Sequence, residues 1–197
     1  DQILEQIRPE QLLGLCFVLP AMIDPEKDLD GISPENIAKV FAGDSSGYAP
    51  CTAEAVVETL KAFEIPISGK RAVIVGRSMV VGKPLSMLLL KENATVTICH
   101  TRTVNLKETC RNAEILVAAA GRAKMLDKES VGKDAVVIDV GINVDENGKL
   151  CGDVDFETLE GTASMATPVP GGIGAVTTAV LAKHLVMAAA GKVPRKG

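Results

Sequence analysis

Strand-like runs of apolar residues alternate along the chain with helix-like patterns, and so predict alternating strands and helices. Short runs of β-branched and small apolar residues predict strands at 15–19, 72–76, 95–99, 115–120 and 135–140. The last four begin at intervals of roughly 20 residues, and helical patterns lie between most of them. The alternation predicts βαβ units and therefore an α/β fold with a doubly wound parallel sheet.

Helical periodicity and capping residues predict where the helices lie. Ser33 before Pro34 is typical of a helix start, with a serine cap and proline in the first turn. Thr52 is predicted to cap the next helix, whose apolar positions form one face. Asn147-Gly148 predicts a turn. Further helices are predicted at about 81–92, 105–112 and 173–190, with a turn or two near 127–131.

Composition agrees with this fold and narrows the class of partner. The 197 residues suffice for one good-sized domain, or one domain and part of another. Aromatic residues make up only 3% and Trp is missing, so the core must be aliphatic, which suits strands buried on both faces. The formal charge of -4 gives no reason to expect binding to nucleic acid.

The five cysteines predict neither a disulfide framework nor a metal site. No two form a CxxC motif, and Cys16 and Cys99 lie in strand-like runs, as structural thiols do. Reduced thiols of this kind lead us to expect a cytoplasmic or organellar-matrix protein. No run is long and apolar enough to span a membrane. The chain begins at Asp1, without Met and in a helical pattern, so we expect a piece of a longer protein.

The strand at 72–76 ends in a glycine turn that predicts an anion site. A helix follows at once, so main-chain N–H groups and the positive end of the helix dipole converge there. The spacing from Gly76 to Gly82 is G-x-S-x-x-x-G-x-P, which is not the general dinucleotide-binding fingerprint. On this feature alone, a tight turn without a ligand remains open.

The next strand favours NADP over NAD. A carboxylate for the ribose hydroxyl is expected where that strand ends, but this chain has His100, Thr101 and Arg102 there. Arg77 lies in the glycine turn itself, so two guanidinium groups could bind a 2′-phosphate. The alternative is that both arginines lie on a solvated rim.

Other features have a functional and a structural interpretation. Gly141 and Ile142 end a strand, where they either cover the nicotinamide end of a cofactor or form a simple turn. Asp28 and Asp30 before a glycine are typical of a turn closed by an aspartate side chain. His184 has no partner at catalytic spacing, so we expect a packed or surface residue, and no cysteine is expected to be activated by a histidine.

Several motifs in order resemble one family. They are PEKDLDG (25–31), PCT (50–52), VIVGRSMVVGKP (73–84), ATVTICHTRT (94–103), VIDVGIN (137–143), GDVDF (152–156) and TPVPGGIGAVT (167–177). Together they closely resemble the methylenetetrahydrofolate dehydrogenase/methenyltetrahydrofolate cyclohydrolase family, of the bacterial bifunctional FolD type. The resemblance covers nearly the whole chain from about residue 14 onward.

The resemblance implies an activity and an organisation. The activity is NADP-dependent oxidation of 5,10-methylenetetrahydrofolate to 5,10-methenyltetrahydrofolate, followed by hydrolysis to 10-formyltetrahydrofolate. The implied protein is a homodimer with a cleft between two lobes. The expected division is a remnant of the substrate lobe at 1–49, a Rossmann-like NADP-binding domain at 50–170, and a terminal helix at 171–197 that packs back on the first lobe.

The resemblance also implies the site residues. Asp30 matches the carboxylate that recognises the pterin ring, Thr101 lies at the 2′-phosphate, and Ile142 contacts the nicotinamide. The implied cofactor-binding residues are Gly76, Arg77, Ser78, Gly82, Pro84, His100, Thr101, Arg102, Gly141 and Ile142. The implied folate loop comprises Pro170, Gly171, Gly172, Ile173, Gly174 and Thr177.

Departures from the family pattern concern the hydrolytic step. The family has a Tyr-x-x-x-Lys pair, but in this chain Tyr48 is followed four residues later by Thr52, so no catalytic residue is assigned. Val18 stands where the family has a glutamine. We expect hydrolysis to be doubtful in this chain. Two other hypotheses stay open: a non-catalytic homologue that binds dinucleotide or folate, and a dehydrogenase of another substrate.

Overall fold

The structure is a computed structural model that describes residues 20–191. Its centre is a five-stranded, wholly parallel sheet in the order β2-β1-β3-β4-β7, and β5 and β6 form a small antiparallel hairpin. The strands are β1 (Arg71–Val75), β2 (Thr95–Cys99), β3 (Ile115–Ala118), β4 (Val136–Asp139), β5 (Asn143–Val144), β6 (Leu150–Cys151) and β7 (Met165–Ala166).

The helices lie close to where the periodicity predicts them. They are α1 (Pro34–Phe41), α2 (Cys51–Ala62), α3 (Gly82–Lys91), α4 (Leu106–Arg111) and α5 (Ile173–Ala189), with 3-10 turns at Lys128–Ser130 and Phe156–Leu159. The four central strand predictions are confirmed, whereas the predicted strand at 15–19 lies outside the described residues. The doubly wound parallel α/β fold is therefore confirmed.

One predicted cap is right and the other is wrong. Ser33 Oγ accepts a hydrogen bond from the Asn36 N–H at 3.3 Å and so caps α1. Helix α2 instead begins at Cys51, with Pro50 in the capping position and no side-chain cap. Thr52 is therefore the second residue of the helix and not the residue before it, so its hydroxyl is not in the position from which a cap accepts from the first free N–H groups.

The core is divided between the two faces of the sheet because successive strand residues point to opposite sides. Ile74 packs into one cluster with Leu60 of α2 and Leu85 of α3. Val75, the next residue, packs into a second cluster with Cys110 of α4. With both faces covered, the central strands β1, β3 and β4 are buried along nearly their whole length, as the aliphatic composition predicts, whereas the edge strand β2 is largely exposed.

Helix α5 packs against α2, and charged groups reinforce the contact. Lys183 Nζ on α5 lies 2.9 Å from a carboxylate oxygen of Glu54 and 2.9 Å from one of Glu58, both on α2. The buried side chains of α5 are Ile173, Val180 and His184. Between residues 20 and 191 the structure contains no helix with the length and apolar character needed to cross a bilayer.

Candidate cofactor and substrate site

The glycine turn after β1 lies at the point where the strand order of the sheet reverses, between β1 and β3. β1 pairs with β2 on one side and with β3 on the other, and in such sheets ligands bind at the carboxyl ends of these strands. Gly76 has φ 140°, and a Cβ there would lie 2.7 Å from the carbonyl carbon of Ala119, just beyond β3. Only glycine lets the two strand ends approach this closely.

Gly82 explains the unusual spacing of the motif. It is the first residue of α3, and a Cβ there would lie 2.6 Å from the Gly76 carbonyl carbon. Ser78 closes the turn between the glycines, since its Oγ accepts from the Val81 N–H and its carbonyl accepts from the Lys83 N–H, both at 3.1 Å. The six-residue step is therefore a longer turn with the same close packing of helix on strand.

A cavity of about 330 Å³ opens beside this turn and suits a dinucleotide phosphate. Within residues 20–191 no group accepts from the N–H groups of Arg77 or Ser78, so both are available to an anion. Arg77 and Arg122 line the cavity and are exposed residues. Its lining comprises Val75, Gly76, Arg77, Ser78, His100, Thr101, Thr103, Leu106, Ala119, Ala120, Arg122 and Met125.

Five of the ten predicted cofactor residues line this cavity (Gly76, Arg77, Ser78, His100 and Thr101), whereas Gly141 and Ile142 line another one. Gly82 and Pro84 are buried at the start of α3, where they shape the turn without lining the cavity. Arg102 lies outside the lining, and its main-chain N–H donates to Nδ1 of His100 at 3.1 Å. Arg122, for which the sequence offered no signal, lines the cavity instead.

Arg122 reaches the cavity because a buried carboxylate holds its loop. Asp153 Oδ1 accepts from the Arg122 N–H and from Asn143 Nδ2, each at 2.8 Å. Asp153 Oδ2 accepts from the N–H groups of Ala120 and Gly121. Three successive main-chain donors thus surround one side chain, and the loop after β3 is fixed relative to the hairpin.

A second buried carboxylate, Asp139 at the end of β4, fixes the strand end that carries Ile142. It accepts from the N–H groups of Gly141 at 2.9 Å, Asp153 at 3.0 Å and Val154 at 2.9 Å. Burial raises the pKa of Asp139 despite these hydrogen bonds. A Cβ at Gly141 would lie 2.6 Å from the Asp153 nitrogen, so this position also requires glycine.

A second cavity, of about 260 Å³, lies at the carboxyl end of β4 against the Pro/Gly loop. Ile142 stands at its edge with 70% of its surface exposed. Thr177 lies outside the lining, and its hydroxyl donates to the Ile173 carbonyl at 3.0 Å. The lining comprises 139–142, Leu150 and 168–175, which includes Pro170, Gly171, Gly172, Ile173 and Gly174.

The two aspartates of the acidic turn at 25–31 have different environments, one buried and one exposed. Asp28 is buried and accepts from the N–H groups of Ile32 at 3.1 Å and Ser33 at 2.7 Å, as predicted for a side-chain-closed turn. Burial alone would raise the pKa of Asp28, but its hydrogen bonds outweigh burial and lower it. Asp30 is exposed and lies outside both cavities.

His184 is a packed residue, as expected, but it has partners that the sequence did not indicate. It is 1% exposed, its ring centroid lies 4.7 Å from that of Tyr48, and Nε2 lies 3.0 Å from Glu54 Oε2. Cys51 Sγ lies 3.6 Å from His184 Nδ1, so a cysteine and a histidine do meet. Burial nevertheless raises the pKa of Cys51 to about 12, so the thiol stays protonated.

Comparisons with known proteins show which family the chain belongs to. The family described as "Tetrahydrofolate dehydrogenase/cyclohydrolase, NAD(P)-binding domain" matches residues 50–193. The "Bifunctional protein FolD" of Clostridium kluyveri is 56% identical over 171 residues, which are 87% of this chain and 60% of that protein. The chain therefore spans about 60% of the length of the curated relatives it matches.

Solved structures extend the match to the fold. The bifunctional FolD dehydrogenase/cyclohydrolase of Campylobacter jejuni superimposes with a TM-score of 0.86 at 37% identity, covering 95% of this chain and 75% of that one. The Trypanosoma brucei FolD, solved with NADP cofactor and inhibitor, gives 0.81 at 37% identity over 87% and 61% of the two chains. The resemblance seen in the motifs is confirmed, and the chain belongs to the tetrahydrofolate dehydrogenase/cyclohydrolase family.

Proposed function

We propose that the protein binds NADP at the glycine turn after β1 and oxidises 5,10-methylenetetrahydrofolate to 5,10-methenyltetrahydrofolate. The observation that carries the proposal is the cradle between Gly76 and Gly82, with its two free N–H groups beside the cavity. A Cβ at Gly76 would collide with the main chain of Ala119, and one at Gly82 with the main chain of Gly76, so a side chain at either position would displace the turn. Membership of a family whose domain is described as NAD(P)-binding supports the same ligand.

The chain's own residues act on the cofactor by binding and orienting it. The N–H groups of Arg77 and Ser78 bind phosphate oxygens, and the guanidinium groups of Arg77 and Arg122 neutralise their charge. Thr101 at the end of β2 stands where an NAD-specific site has a carboxylate, so a 2′-phosphate meets no repulsion there. When bound, NADP supplies the acceptor for the hydride that the folate loses.

Substrate oxidation needs positioning more than proton transfer. Hydride leaves carbon without an acid or base at that atom, so the protein must hold two rings in contact and limit water. The cavity between Ile142 and the Pro/Gly loop adjoins the strand end where the nicotinamide is proposed to lie. Asp30, exposed on its turn, is proposed to accept hydrogen bonds from the donor edge of the pterin.

We propose that this chain alone does not carry out the hydrolytic step. The family's Tyr-x-x-x-Lys pair does not occur in its sequence, and Tyr48, its one tyrosine, is buried against His184. A hydrolase of this kind needs a group of tuned pKa beside the substrate. Hydrolysis of methenyltetrahydrofolate is measured by the loss of its absorbance, and catalysis above the uncatalysed rate would contradict this proposal.

The direct test is the steady-state rate of methylenetetrahydrofolate oxidation by the 197-residue chain with NADP or NAD. Faster turnover with NADP is the expected result. NADPH binding is followed in parallel by fluorescence. Tight NADPH binding without turnover would support the hypothesis of a binding homologue, and absence of both would overturn the proposed function.

Three further expectations remain predictions. Assembly as a homodimer rests on the resemblance and is tested by sedimentation equilibrium. A cytoplasmic location is tested by fractionation of the source cells. The division into 1–49, 50–170 and 171–197 is tested by limited proteolysis, which should cut first near the two boundaries if they separate structural units.

A further inference from the structure

A buried histidine contacts the turn that presents Asp30. His184 lies on α5, and its Nδ1 is 2.7 Å from the Leu29 carbonyl oxygen, while Nε2 is 3.0 Å from Glu54 Oε2. A carbonyl and a carboxylate can only accept hydrogen bonds. The ring therefore donates at both nitrogens, which makes it a positively charged imidazolium.

The groups around the ring keep that charge. Glu54 accepts from His184 and also from Lys183 Nζ at 2.9 Å, so it remains a carboxylate between two cations. Burial by itself would lower the pKa of His184, but the Glu54 and Leu29 contacts outweigh burial and raise it. Burial would likewise raise the pKa of Glu54, but the two cations lower it.

The other titratable groups that face the ring come from the segment before α2, from α2 and from α5. Tyr48 stacks on the imidazole, and Cys51 Sγ lies 3.6 Å from Nδ1. The pKa of Cys51 is raised to about 12 by burial, and that of Lys183 is raised by its carboxylate partners, which outweigh its partial burial. Of the groups with a shifted pKa here, only His184 has an ordinary pKa close to neutral pH, and its pKa is raised.

The turn itself is held from two helices. The Leu29 carbonyl accepts from His184 on α5 and, at 3.4 Å, from the Cys51 thiol on α2. The Asp30 carbonyl accepts from the Cys51 N–H at 3.3 Å. Gly31 follows, and a Cβ there would lie 2.6 Å from the Ala49 carbonyl oxygen. The main chain on both sides of the Asp30 side chain is thus fixed, although the carboxylate is exposed.

We propose that His184 is a positioning residue for Asp30: its imidazolium holds the Leu29 carbonyl and thereby sets where the Asp30 carboxylate meets the pterin of the substrate. The inference rests on the proposed function, in which Asp30 recognises the pterin. It predicts that folate affinity, unlike cofactor affinity, depends on the protonation of His184. The cofactor cavity shares no residue with this cluster.

The test measures binding of a stable reduced folate, 5-formyltetrahydrofolate, and of NADPH by calorimetry. His184→Gln is expected to weaken folate binding about tenfold or more, as when a charge-assisted hydrogen bond is lost, with NADPH binding unchanged. Lys183→Gln is the matched control, because it removes a cation beside Glu54 but not the bond to Leu29. It should weaken folate binding much less, and equal losses in the two variants would overturn the inference.

The pH profile separates positioning from a general effect on folding. Folate affinity of the unsubstituted chain should fall as pH rises through the pKa of His184, because the ring then loses one of its donors. His184→Gln should show a flat profile at the weaker value. If that variant does not fold, nitrogen NMR of the unsubstituted chain decides, since both ring nitrogens of His184 must carry protons at about pH 6, below the ordinary pKa of histidine. A neutral ring overturns the inference.

Failure of the proposed function gives a different result. Asp30→Asn should weaken folate binding if Asp30 recognises the pterin. Unchanged affinity in Asp30→Asn, or no folate binding by the unsubstituted chain, would overturn the function assigned to this turn. Weaker binding in Asp30→Asn with unchanged binding and an unchanged pH profile in His184→Gln would leave that function standing and overturn the positioning by His184.

Discussion

Replacing Gly82 with alanine tests the packing that forms the cofactor turn. Its Cβ would lie 2.6 Å from the Gly76 carbonyl carbon and 3.0 Å from the Arg77 Cα. Carbon atoms pack best at about 3.5–4.0 Å, so α3 and the turn must separate by roughly 1 Å. The main chain at Gly76 cannot yield, because Gly76 is itself packed against Ala119 at the end of β3.

Two opposing effects set the magnitude. Alanine favours a helix over glycine by about 1 kcal/mol, whereas forced overpacking costs about 1–3 kcal/mol and occasionally more. We therefore expect Gly82→Ala to lower the free energy of unfolding by about 1–2 kcal/mol. NADPH affinity should also fall about tenfold, because the N–H groups of Arg77 and Ser78 move with the turn.

Gly174→Ala is the matched control for stability. Gly174 also lies in the first turn of a helix, but the nearest atom to its Cβ would be Ile142 Cδ1 at 4.0 Å. This variant should keep or gain stability, by up to about 1 kcal/mol. Urea unfolding followed by circular dichroism gives both values. If Gly82→Ala proves as stable as Gly174→Ala, the close packing of helix on strand described above is wrong.

Other predictions concern charged groups. Arg77→Gln should weaken NADP binding about tenfold or more in a fluorescence titration, whereas Arg71→Gln, at the opposite end of β1, should change it little. Asp153→Asn should lower the free energy of unfolding in urea by about 3 kcal/mol, because an amide cannot accept from all four donors, whereas Asp155→Asn should have little effect. The pKa of His184 is raised on folding, so its contribution to stability is complete below pH about 6.5 and is lost as pH rises through the folded pKa. The melting temperature of the unsubstituted chain should therefore fall over that range of pH. The melting temperature of His184→Gln should not show this fall.

The fold could be predicted because its central strands β1, β3 and β4 are buried on both faces. Runs such as 72–75 and 135–138 are continuous and aliphatic, and they stand out from the helical patterns around them. β7 was not predicted, since a strand of two residues gives no periodicity. The start of α2 was misplaced because proline took the capping position, where no side-chain signal marks it.

The site could be predicted only where its residues are close in sequence. Gly76, Arg77 and Ser78 share one turn, so the motif brings them together before any fold is known. Arg122 reaches the same cavity only because Asp153, 31 residues later, holds its loop. His184 and Glu54 are 130 residues apart and meet only through the packing of α5 on α2.

The acidic turn also bears on how such a site can change over time. Asp28 makes the hydrogen bonds that close the turn, whereas Asp30, two residues later, faces solvent. A substitution at Asp28 removes the hydrogen bonds that close the turn, whereas one at Asp30 changes the exposed side chain and its interaction with the Cys51 thiol. A single codon change could therefore give this turn a new ligand preference on an unchanged backbone, which makes it a suitable starting point for directed evolution.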